Sequence, residues 1–463
     1  MTEQFDAIVI GSGQGGGPLA TAFAEAGRTT ALIEREHIGG TCVNEGCTPS
    51  KTMIASGRVA YLARRAADYG VHTGEITVDM PVVRKRKRDM VDSFRGGSEK
   101  TAFGTEGLTV LMGEGRFSGP KEISVTMNDG GSRTLAAETI VINVGERPAP
   151  PRIDGADAVT ILNSTTVMEL DAVPDHLLVI GGGYVGLEFG QLFRRLGAEV
   201  TIVHRGAHLL AREDEDIADA MRTILEEDGI RVLLDSSAKS VTGSDGALNV
   251  TVEGGDGMET IAASHILQAA GRIPNSDFLD LDVAGIETDK KGYIIVDDRL
   301  ATSVPGIYGI GDVVPGPKFT HISYDDYRIL KATLIDGESR STADRIVPYT
   351  VFTDPQLGRV GLSEREARDQ GRSIRVAQMP MARVARALEA DEPRGVMKAI
   401  VDAGNGQILG AAILGLDGGE VMSMVQIAMM GKLPYTALRD AVFAHPNLSE
   451  SLNNLFFAFT DES

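Results

Sequence analysis

The 463-residue chain carries 45 Lys and Arg against 65 Asp and Glu, a formal net charge of −20, and 42% of its residues are hydrophobic. A surface this acidic repels nucleic acid and anionic lipid, so we expect neither as a partner. A chain of this length can build two to four domains. Because no apolar run reaches the roughly 18–20 residues that span a bilayer and no basic-then-apolar leader precedes the first strand, we expect a cytoplasmic protein.

The N-terminal segment predicts a dinucleotide-binding βαβ unit. The strand in DAIVIGSG leads into a glycine turn and an Ala-rich helix, and Gly11, Gly13 and Gly16 fit G-x-G-x-x-G. In such a turn, backbone N–H groups and the helix N-terminus approach a pyrophosphate. A second strand, TTALIE, ends on Glu34, 23 residues after Gly11, where a carboxylate can accept hydrogen bonds from a ribose diol.

The only two cysteines, Cys42 and Cys47, lie five positions apart in GGTCVNEGCTPSK. A structural disulfide, half of a metal site and a working dithiol are the three interpretations. A reducing cytoplasm would not keep an ordinary structural disulfide oxidised. Zinc would need further ligands at tight spacing, and His37 is the only histidine nearby, although carboxylate ligands remain possible. The pattern favours a redox or nucleophilic pair, and we predict no metal site.

One strongly basic run, RKRKR, covers Arg84 to Arg88. It resembles a nuclear-localisation signal or a polyanion-binding patch. Acidic residues flank it at Asp79, Asp89 and Asp92. We therefore interpret it as the solvated face of a helix.

A second βαβ pattern follows in HLLVIGGGYVGLEFGQLFRRLGAEVTIVHR, with Gly181, Gly183 and Gly186 in register with the first. Two complete signatures are much harder to obtain by chance than one. They predict two bound dinucleotides, and if one is a flavin, electrons can pass from nicotinamide to flavin and then to a dithiol.

The two patterns differ at the end of the second strand. Position 23 after Gly181 is His204, where the first pattern has an acid, and Arg205 and Arg212 follow. The loss of a carboxylate and the gain of cations suit a 2′-phosphate. The sequence therefore predicts NADPH, with NADH possible.

Taken together, these segments resemble the flavoprotein disulfide reductases, which include dihydrolipoamide dehydrogenase, glutathione reductase and mercuric reductase. GGTCVNEGCTPSK is similar to their redox-active segment, VINVGERPAPP to the hinge after the first domain, and LQAAGRIPNSD to the return from the NAD(P) domain. TSVPGIYGIGDVV resembles the second flavin motif. AHPNLSESLNNLF resembles the interface motif H-P-T-x-x-E, with Asn447 where Thr is usual.

Within this family the chain looks most like the mercuric-reductase-like branch, in segments such as FTHISYDDYRIL and VFTDPQLGRVGLSE. Mercuric reductase carries a C-terminal cysteine pair, whereas this chain ends LNNLFFAFTDES. That departure argues against efficient mercury reduction. It favours relatives without the cysteine pair that reduce disulfides or the thiol-reactive oxidant hypothiocyanous acid.

The resemblance implies roles around the dithiol, which we expect at the start of a helix. Cys47 would be the flavin-side thiol that forms a charge-transfer complex, and Cys42 the interchange thiol that meets the substrate. Lys51 would reach the flavin N5 and pair with Glu188. A helix N-terminus and nearby cations would lower the pKa of a thiol there.

The resemblance also implies an acid/base pair and an aromatic gate. His445 would be the general acid/base, held in orientation by Glu450, and would serve the dithiol of the other subunit, so the active protein would be a homodimer. Tyr184 sits where glutathione reductases place an aromatic residue over the nicotinamide. Asp312 would bind the ribityl chain, and the remaining residues that the resemblance assigns to the cofactor sites are Thr41, Gly115, Thr320 and Gly271.

The implied fold class is α/β, with two Rossmann-like dinucleotide-binding domains, for FAD and NAD(P), and a C-terminal α+β dimerisation domain. The motif order gives an FAD-binding domain in two parts (residues 1–147 and 274–345), an NAD(P)-binding domain (148–273) and a dimerisation domain (346–463).

The implied activity is that of an FAD-dependent NAD(P)H oxidoreductase that passes electrons through the flavin to Cys42 and Cys47 and on to a small disulfide-like or thiol-reactive substrate. The alternatives are a dihydrolipoamide dehydrogenase, residual Hg(II) reduction, and a non-catalytic flavin-bound sensor or scaffold. Retention of both cysteines and of the lysine, glutamates and histidine named above argues against a scaffold, which needs none of them.

Overall fold

A computed structural model describes residues 1–255 and 257–459. They form two compact units. The first unit comprises Met1–Thr52, Val82–Ala149 and Gly271–Arg345, and the second comprises Met53–Pro81, Pro150–Ala270 and the chain from Ile346 onward. The four-part domain division stays a prediction; residue 256 of its NAD(P)-binding segment and residues 460–463 of its dimerisation segment lie outside the described residues.

The regular elements are strands and helices, numbered in chain order. The strands are β1 (Thr2–Ile10), β2 (Thr30–Glu34), β3 (Leu108–Gly119), β4 (Glu122–Met127), β5 (Ser132–Ile142), β6 (Glu146–Pro148), β7 (Ile161–Leu162), β8 (His176–Ile180), β9 (Glu199–Val203), β10 (Arg231–Leu233), β11 (Ser237–Ser244), β12 (Ala247–Gly254), β13 (Gly257–Ala263), β14 (His265–Gln268), β15 (Arg272–Pro274), β16 (Ile307–Gly309), β17 (Pro348–Val351), β18 (Gln356–Gly361), β19 (Ile374–Pro380), β20 (Val396–Asp402) and β21 (Ile408–Gly415). The helices are α1 (Gly16–Glu25), α2 (Gly40–Asn44), α3 (Cys47–Arg64), α4 (Met80–Gly104), α5 (Tyr184–Leu196), α6 (Glu215–Glu227), α7 (Leu281–Ala284), α8 (Thr320–Leu334), α9 (Glu364–Asp369), α10 (Ala385–Glu389), α11 (Gly418–Met430), α12 (Tyr435–Arg439) and α13 (Ser451–Phe457).

The first unit is built on a parallel sheet in the order β3-β2-β1-β5-β16. Strand β4 pairs antiparallel with both β3 and β5. The last four residues of β1 are all buried, as expected of a central strand covered on both faces. Parallel strands align their carboxyl ends, so the glycine turn after β1 and the loop after β16 open at the same edge of the sheet.

The second unit contains a second parallel sheet in the order β10-β9-β8-β14-β7. Its central strands β8 and β9 pair in the same register as β1 and β2 in the first unit. Strand β1 ends with Ile10 opposite Ile33, and β8 ends with Ile180 opposite Val203. The same glycine pattern therefore follows a strand end of the same kind in both sheets. This arrangement confirms the prediction of two Rossmann-like folds.

The C-terminal part of the second unit is a five-stranded antiparallel sheet in the order β17-β18-β21-β20-β19. Buried residues of β20, β21, α11 and α13 share one hydrophobic core. An antiparallel sheet with helices packed on it is an α+β architecture, as predicted for this part of the chain.

Helix α4 corrects the interpretation of the basic run. Arg84 to Arg88 do lie on a helix, but Lys87 is only 4% exposed and Arg84 is half-buried. The prediction of a solvated face is therefore wrong for these two residues. The reason is helical periodicity: Lys87 shares a face with the buried Val91, four residues on.

Although α4 has 25 residues, no helix in the described part of the chain is long and apolar enough to cross a membrane.

Candidate active site

The first glycine turn has the close backbone packing that a pyrophosphate site requires. Gly11 has φ +97°, and a Cβ on Gly16 would lie 2.1 Å from the carbonyl oxygen of Gly11. With its amide oxygen towards the turn, Asn143 accepts hydrogen bonds from the N–H groups of Gly13 at 3.3 Å and Gly16 at 3.0 Å. Sequence reasoning missed Asn143, which follows β5 and is far from the turn in the chain.

Glu34 ends β2 beside this turn. Its Oε2 accepts hydrogen bonds from the Ser12 N–H at 3.0 Å and the Ser12 hydroxyl at 2.7 Å. The carboxylate therefore lies next to the glycine turn, as the prediction of a ribose ligand requires.

The second glycine turn repeats this packing. Gly181 has φ +122°, and a Cβ on Gly186 would lie 2.1 Å from the Gly181 carbonyl oxygen. Apart from its own turn of the chain, no heavy atom of the described residues lies within 4 Å of the Cβ position of Gly183, which is exposed at the start of α5. That open space on the turn fits a dinucleotide phosphate approaching the backbone.

An imidazole replaces the carboxylate in the second fold. His204 Nδ1 accepts a hydrogen bond from the Gly182 N–H at 3.1 Å. An accepting Nδ1 places the proton on Nε2, and burial lowers the pKa of His204, so the ring is neutral near pH 7. Arg205 and Arg212, predicted to bind the 2′-phosphate, are both exposed in the segment that follows.

Tyr184 is the first residue of α5 and packs against a second tyrosine. Its ring centroid lies 5.5 Å from that of Tyr349 on β17. The Tyr349 hydroxyl donates a hydrogen bond to the buried Glu213, and Arg359 Nε lies 3.4 Å from the other Glu213 oxygen. Burial raises the pKa values of Tyr184, Tyr349 and Glu213. Sequence reasoning missed Tyr349 and Glu213, because neither belongs to a motif.

The two thiols lie in the first unit, on the consecutive helices α2 and α3. Cys47 begins α3, whereas Cys42 belongs to the preceding short helix α2, so the prediction that both start one helix holds only for Cys47. Gly40 makes this placement possible, because a Cβ there would lie 2.6 Å from the Gly13 Cα. The dithiol segment thus packs directly on the first glycine turn.

Both cysteines are in the thiol form. Cys47 Sγ lies 3.2 Å from Thr320 Oγ1, at the start of α8. A hydrogen bond with Cys47 raises the pKa of the Cys42 thiol, and burial raises it further. The two thiols are therefore neighbours in space, as the prediction of a working dithiol requires.

Asp312 follows β16, near the dithiol. Burial raises its pKa to about 6, and the negative charge of Glu146 adds to the effect. Asp326 on α8, 1% exposed, holds this loop by accepting the Gly311 N–H at 2.8 Å. The half-buried carboxylate of Asp312 gains from hydroxyl donors, and the ribityl chain of FAD supplies such donors. The residues of the first unit therefore fit FAD.

The other residues of the first unit that are predicted to bind a cofactor are Thr41, Lys51, Gly115 and Gly271, and they differ in exposure and packing. Thr41 is exposed on α2 and Lys51 half-buried on α3. A Cβ on Gly115 in β3 would lie 3.3 Å from the Ile33 side chain. The Gly271 carbonyl accepts the Ala149 N–H at 3.1 Å, next to the antiparallel pair of β6 and β15. Their cofactor contacts stay predictions.

The predicted partners of the dithiol lie in the second unit. Glu188 on α5 is buried and accepts the Phe352 N–H at 2.9 Å. His445 Nδ1 lies 3.0 and 2.9 Å from the two carboxylate oxygens of Glu450. Because a carboxylate only accepts, Nδ1 carries the proton and Nε2 is left to exchange protons. The pairing of Lys51 with Glu188, and the service of His445 to another subunit's dithiol, stay predictions.

Comparison with known proteins agrees with this geometry. The family model described as pyridine nucleotide-disulphide oxidoreductase matches residues 5–326, and the dimerisation domain of the same family matches residues 347–456. The chain is 36% identical over 457 residues to the probable pyridine nucleotide-disulfide oxidoreductase RclA of Escherichia coli strain K12, covering 98% of this chain and 99% of that protein. It is 33% identical over 459 residues to a mercuric reductase of Streptomyces lividans, covering 99% and 97%.

A solved structure of a relative shows the same fold. It is described as the Cu(II) complex of the HOCl-induced flavoprotein disulfide reductase RclA from Escherichia coli, and matches with a TM-score of 0.89 and 36% identity over 99% of each chain. These matches confirm the predicted fold class, the flavin-dependent disulfide oxidoreductase class and the pairing of FAD with a pyridine nucleotide. The chain therefore belongs to the pyridine nucleotide-disulphide oxidoreductase family.

Proposed function

We propose that this protein is an NADPH-dependent homodimeric flavoenzyme whose Cys42–Cys47 dithiol reduces a small thiol-reactive oxidant or disulfide. The observation that carries the proposal is the position of Cys47, which begins α3 beside Thr320 on a segment packed against the first glycine turn. The first glycine turn, Glu34 and Asp312 would hold FAD. Bound FAD would supply two-electron transfer between the nicotinamide and the dithiol.

The two thiols would divide the reduction into two exchanges. The Cys42 thiolate attacks the electrophilic sulfur of the substrate, forming a Cys42–sulfur bond and displacing the leaving group, which takes up a proton. The Cys47 thiolate then attacks Cys42 Sγ, closing the Cys42–Cys47 disulfide and releasing the substrate sulfur as a thiolate. With hypothiocyanous acid, for example, the leaving groups are water and then thiocyanate. The two thiols lose two electrons and the substrate gains them.

His445 would move the proton in these exchanges. Its Nε2 can take the proton from the attacking thiol and give it to the leaving group, while Glu450 keeps Nδ1 protonated. The ring would act on the dithiol of the partner subunit. This role requires the homodimer that the matched dimerisation domain suggests.

NADPH is the nucleotide that the second turn favours. A neutral His204 removes the negative charge that would repel a 2′-phosphate, and the exposed Arg205 and Arg212 supply positive charge. A dihydrolipoamide dehydrogenase working with NAD⁺ is less favoured for the same reason.

The proposal can be tested by anaerobic titration of the purified flavoprotein with NADPH and with NADH. Lipoamide, oxidised glutathione, hypothiocyanous acid, Hg(II) and Cu(II) are then added separately to the reduced protein. We expect NADPH to produce a long-wavelength absorbance band that one oxidant discharges rapidly, and Cys47→Ser to lose the band. A reduced protein that lacks the band and behaves identically in Cys47→Ser would contradict the dithiol mechanism.

A further inference from the structure

The segment between the two thiols is tied to helix α4. Asn44 lies in the four-residue bridge Val43–Gly46 that joins Cys42 to Cys47. Its side-chain Nδ2 donates to the carbonyl oxygens of Ile38 at 3.1 Å and Gly40 at 2.9 Å. Its Oδ1 accepts a hydrogen bond from Arg95 Nε at 2.6 Å. Every hydrogen-bonding group of this amide except one oxygen lone pair is therefore engaged, and the donor to its oxygen carries a charge.

Arg95 lies on the inner face of α4. Lys87, Val91 and Arg95 recur every four residues, with Lys87 and Val91 buried and the Arg95 side chain 24% exposed. Residues on the outer face are solvated: the Lys85 side chain is 73% exposed and pairs with Asp89 at 2.7 Å. Asp92, on the same helix, lies 3.8 Å from Arg95 and is 70% exposed. The hydrogen bond from Arg95 Nε thus brings its guanidinium charge to the bridge.

We infer that Arg95 is a positioning residue for the dithiol: it fixes the bridge between the thiols through Asn44 and favours the thiolate form of the pair by its charge. This inference rests on the proposed dithiol function. A charge-assisted hydrogen bond is about twice as strong as a neutral one, so it holds the bridge in place whether the cysteines are reduced or joined.

The need for such a residue follows from the surroundings of Cys42. This thiol is partly buried and shares a hydrogen bond with Cys47, and both conditions disfavour its ionisation. A nucleophilic thiol must ionise to react. Charged residues on the elements around the two thiols include Glu45 on the bridge, Lys51 on α3, Lys87, Asp92 and Arg95 on α4, and Asp312 after β16. The hydrogen bond of Arg95 reaches the bridge itself.

The test compares Arg95→Gln with Lys85→Gln, which removes the same charge from the outer face of the same helix. The reduced flavin-loaded proteins react with iodoacetamide from pH 5.5 to 9.5, and mass spectrometry measures the alkylation of Cys42. We expect Arg95→Gln to slow the reaction about five- to tenfold at pH 7 and to move its midpoint up by about one pH unit. Lys85→Gln should match the unaltered protein, and Arg95→Lys should recover most of the rate.

A second readout separates this role from a purely structural one. Equilibration with glutathione redox buffers gives the midpoint potential of the Cys42–Cys47 couple, which should become more negative in Arg95→Gln because the reduced pair loses a stabilising charge.

If Arg95→Gln does not fold, Asn44→Ala removes the other half of the contact and should also slow alkylation. A lower melting temperature with an unchanged alkylation profile and potential would overturn the inference. A protein that forms no reversible Cys42–Cys47 disulfide would instead overturn the proposed function, a result visible without any Arg95 variant.

Discussion

His204 in the second dinucleotide fold takes the place that Glu34 takes in the first. Glu34 Oε2 accepts the Ser12 N–H at 3.0 Å, and His204 Nδ1 accepts the Gly182 N–H at 3.1 Å. The imidazole thus keeps the structural hydrogen bond of the carboxylate and drops its charge. Glycines on both sides make room for the ring: a Cβ on Gly182 would lie 2.8 Å from His204 Cγ, and one on Gly206 would lie 2.9 Å from its Nε2.

His204→Glu should therefore move nucleotide preference towards NADH. A glutamate can keep the bond to Gly182 while restoring an acceptor for the ribose diol and repelling a 2′-phosphate. We expect the ratio of kcat/KM for NADPH to that for NADH to fall at least tenfold. His265→Gln, which changes another half-buried histidine in this unit, should leave the ratio unchanged. Equal ratios in His204→Glu and His265→Gln would contradict this account of specificity.

The acid/base role of His445 predicts an effect confined to one half of the catalytic cycle. His445→Gln should slow the exchange between dithiol and substrate by about 100-fold, a typical contribution of general acid/base catalysis. Glu450→Gln should cause a smaller loss, because the carboxylate only orients the ring. Stopped-flow measurement of flavin reduction by NADPH should give the unaltered rate in both variants. A loss in both half-reactions would contradict this role.

Asp312 predicts that FAD affinity depends on pH. Its pKa of about 6 means that the group is ionised above pH 6 and protonated below it. Only the ionised form accepts hydrogen bonds from hydroxyls with both oxygens, so FAD binding favours the ionised form and its affinity falls as pH falls through 6. We expect a loss of up to about tenfold between pH 6 and pH 5, measured as the Kd of the apoprotein for FAD. Asp312→Asn should flatten this dependence, and an equal slope in that variant would assign it to another group.

Lys398 predicts a large effect on stability. Its Nζ lies 3.2 Å from Asp214, 2.8 Å from Asp216 and 2.7 Å from Glu364, and its side chain is 3% exposed. Lys398→Met would leave three carboxylates together without their cation, which costs about 3–5 kcal/mol of unfolding free energy. Lys331→Met, which removes a more exposed partner of Asp336, should cost no more than about 1 kcal/mol. Thermal and urea unfolding of the flavoprotein would measure both, and similar losses would contradict the prediction.

The sequence by itself determined the two dinucleotide folds and the dithiol. Gly16 and Gly186 are required because a side chain at either position would meet a carbonyl oxygen at 2.1 Å, a constraint that arises within a single turn. The relation between Cys47 and Lys51 is equally local, because one helical turn brings both residues to the same face of α3. A turn or a helix face depends only on residues close together in the chain, so it can be predicted from the residue pattern alone.

Only the tertiary structure decided which distant residues support these motifs. Asn143 reaches the first glycine turn from the position after β5, Tyr349 reaches Tyr184 from β17, and Arg95 reaches the dithiol bridge from α4. The basic run shows the same limit, since the sequence predicted a solvated face and packing buried Lys87. Each contact joins residues far apart in the chain, so it depends on the packing of whole elements, and the residues around each position hold no local constraint that would reveal it.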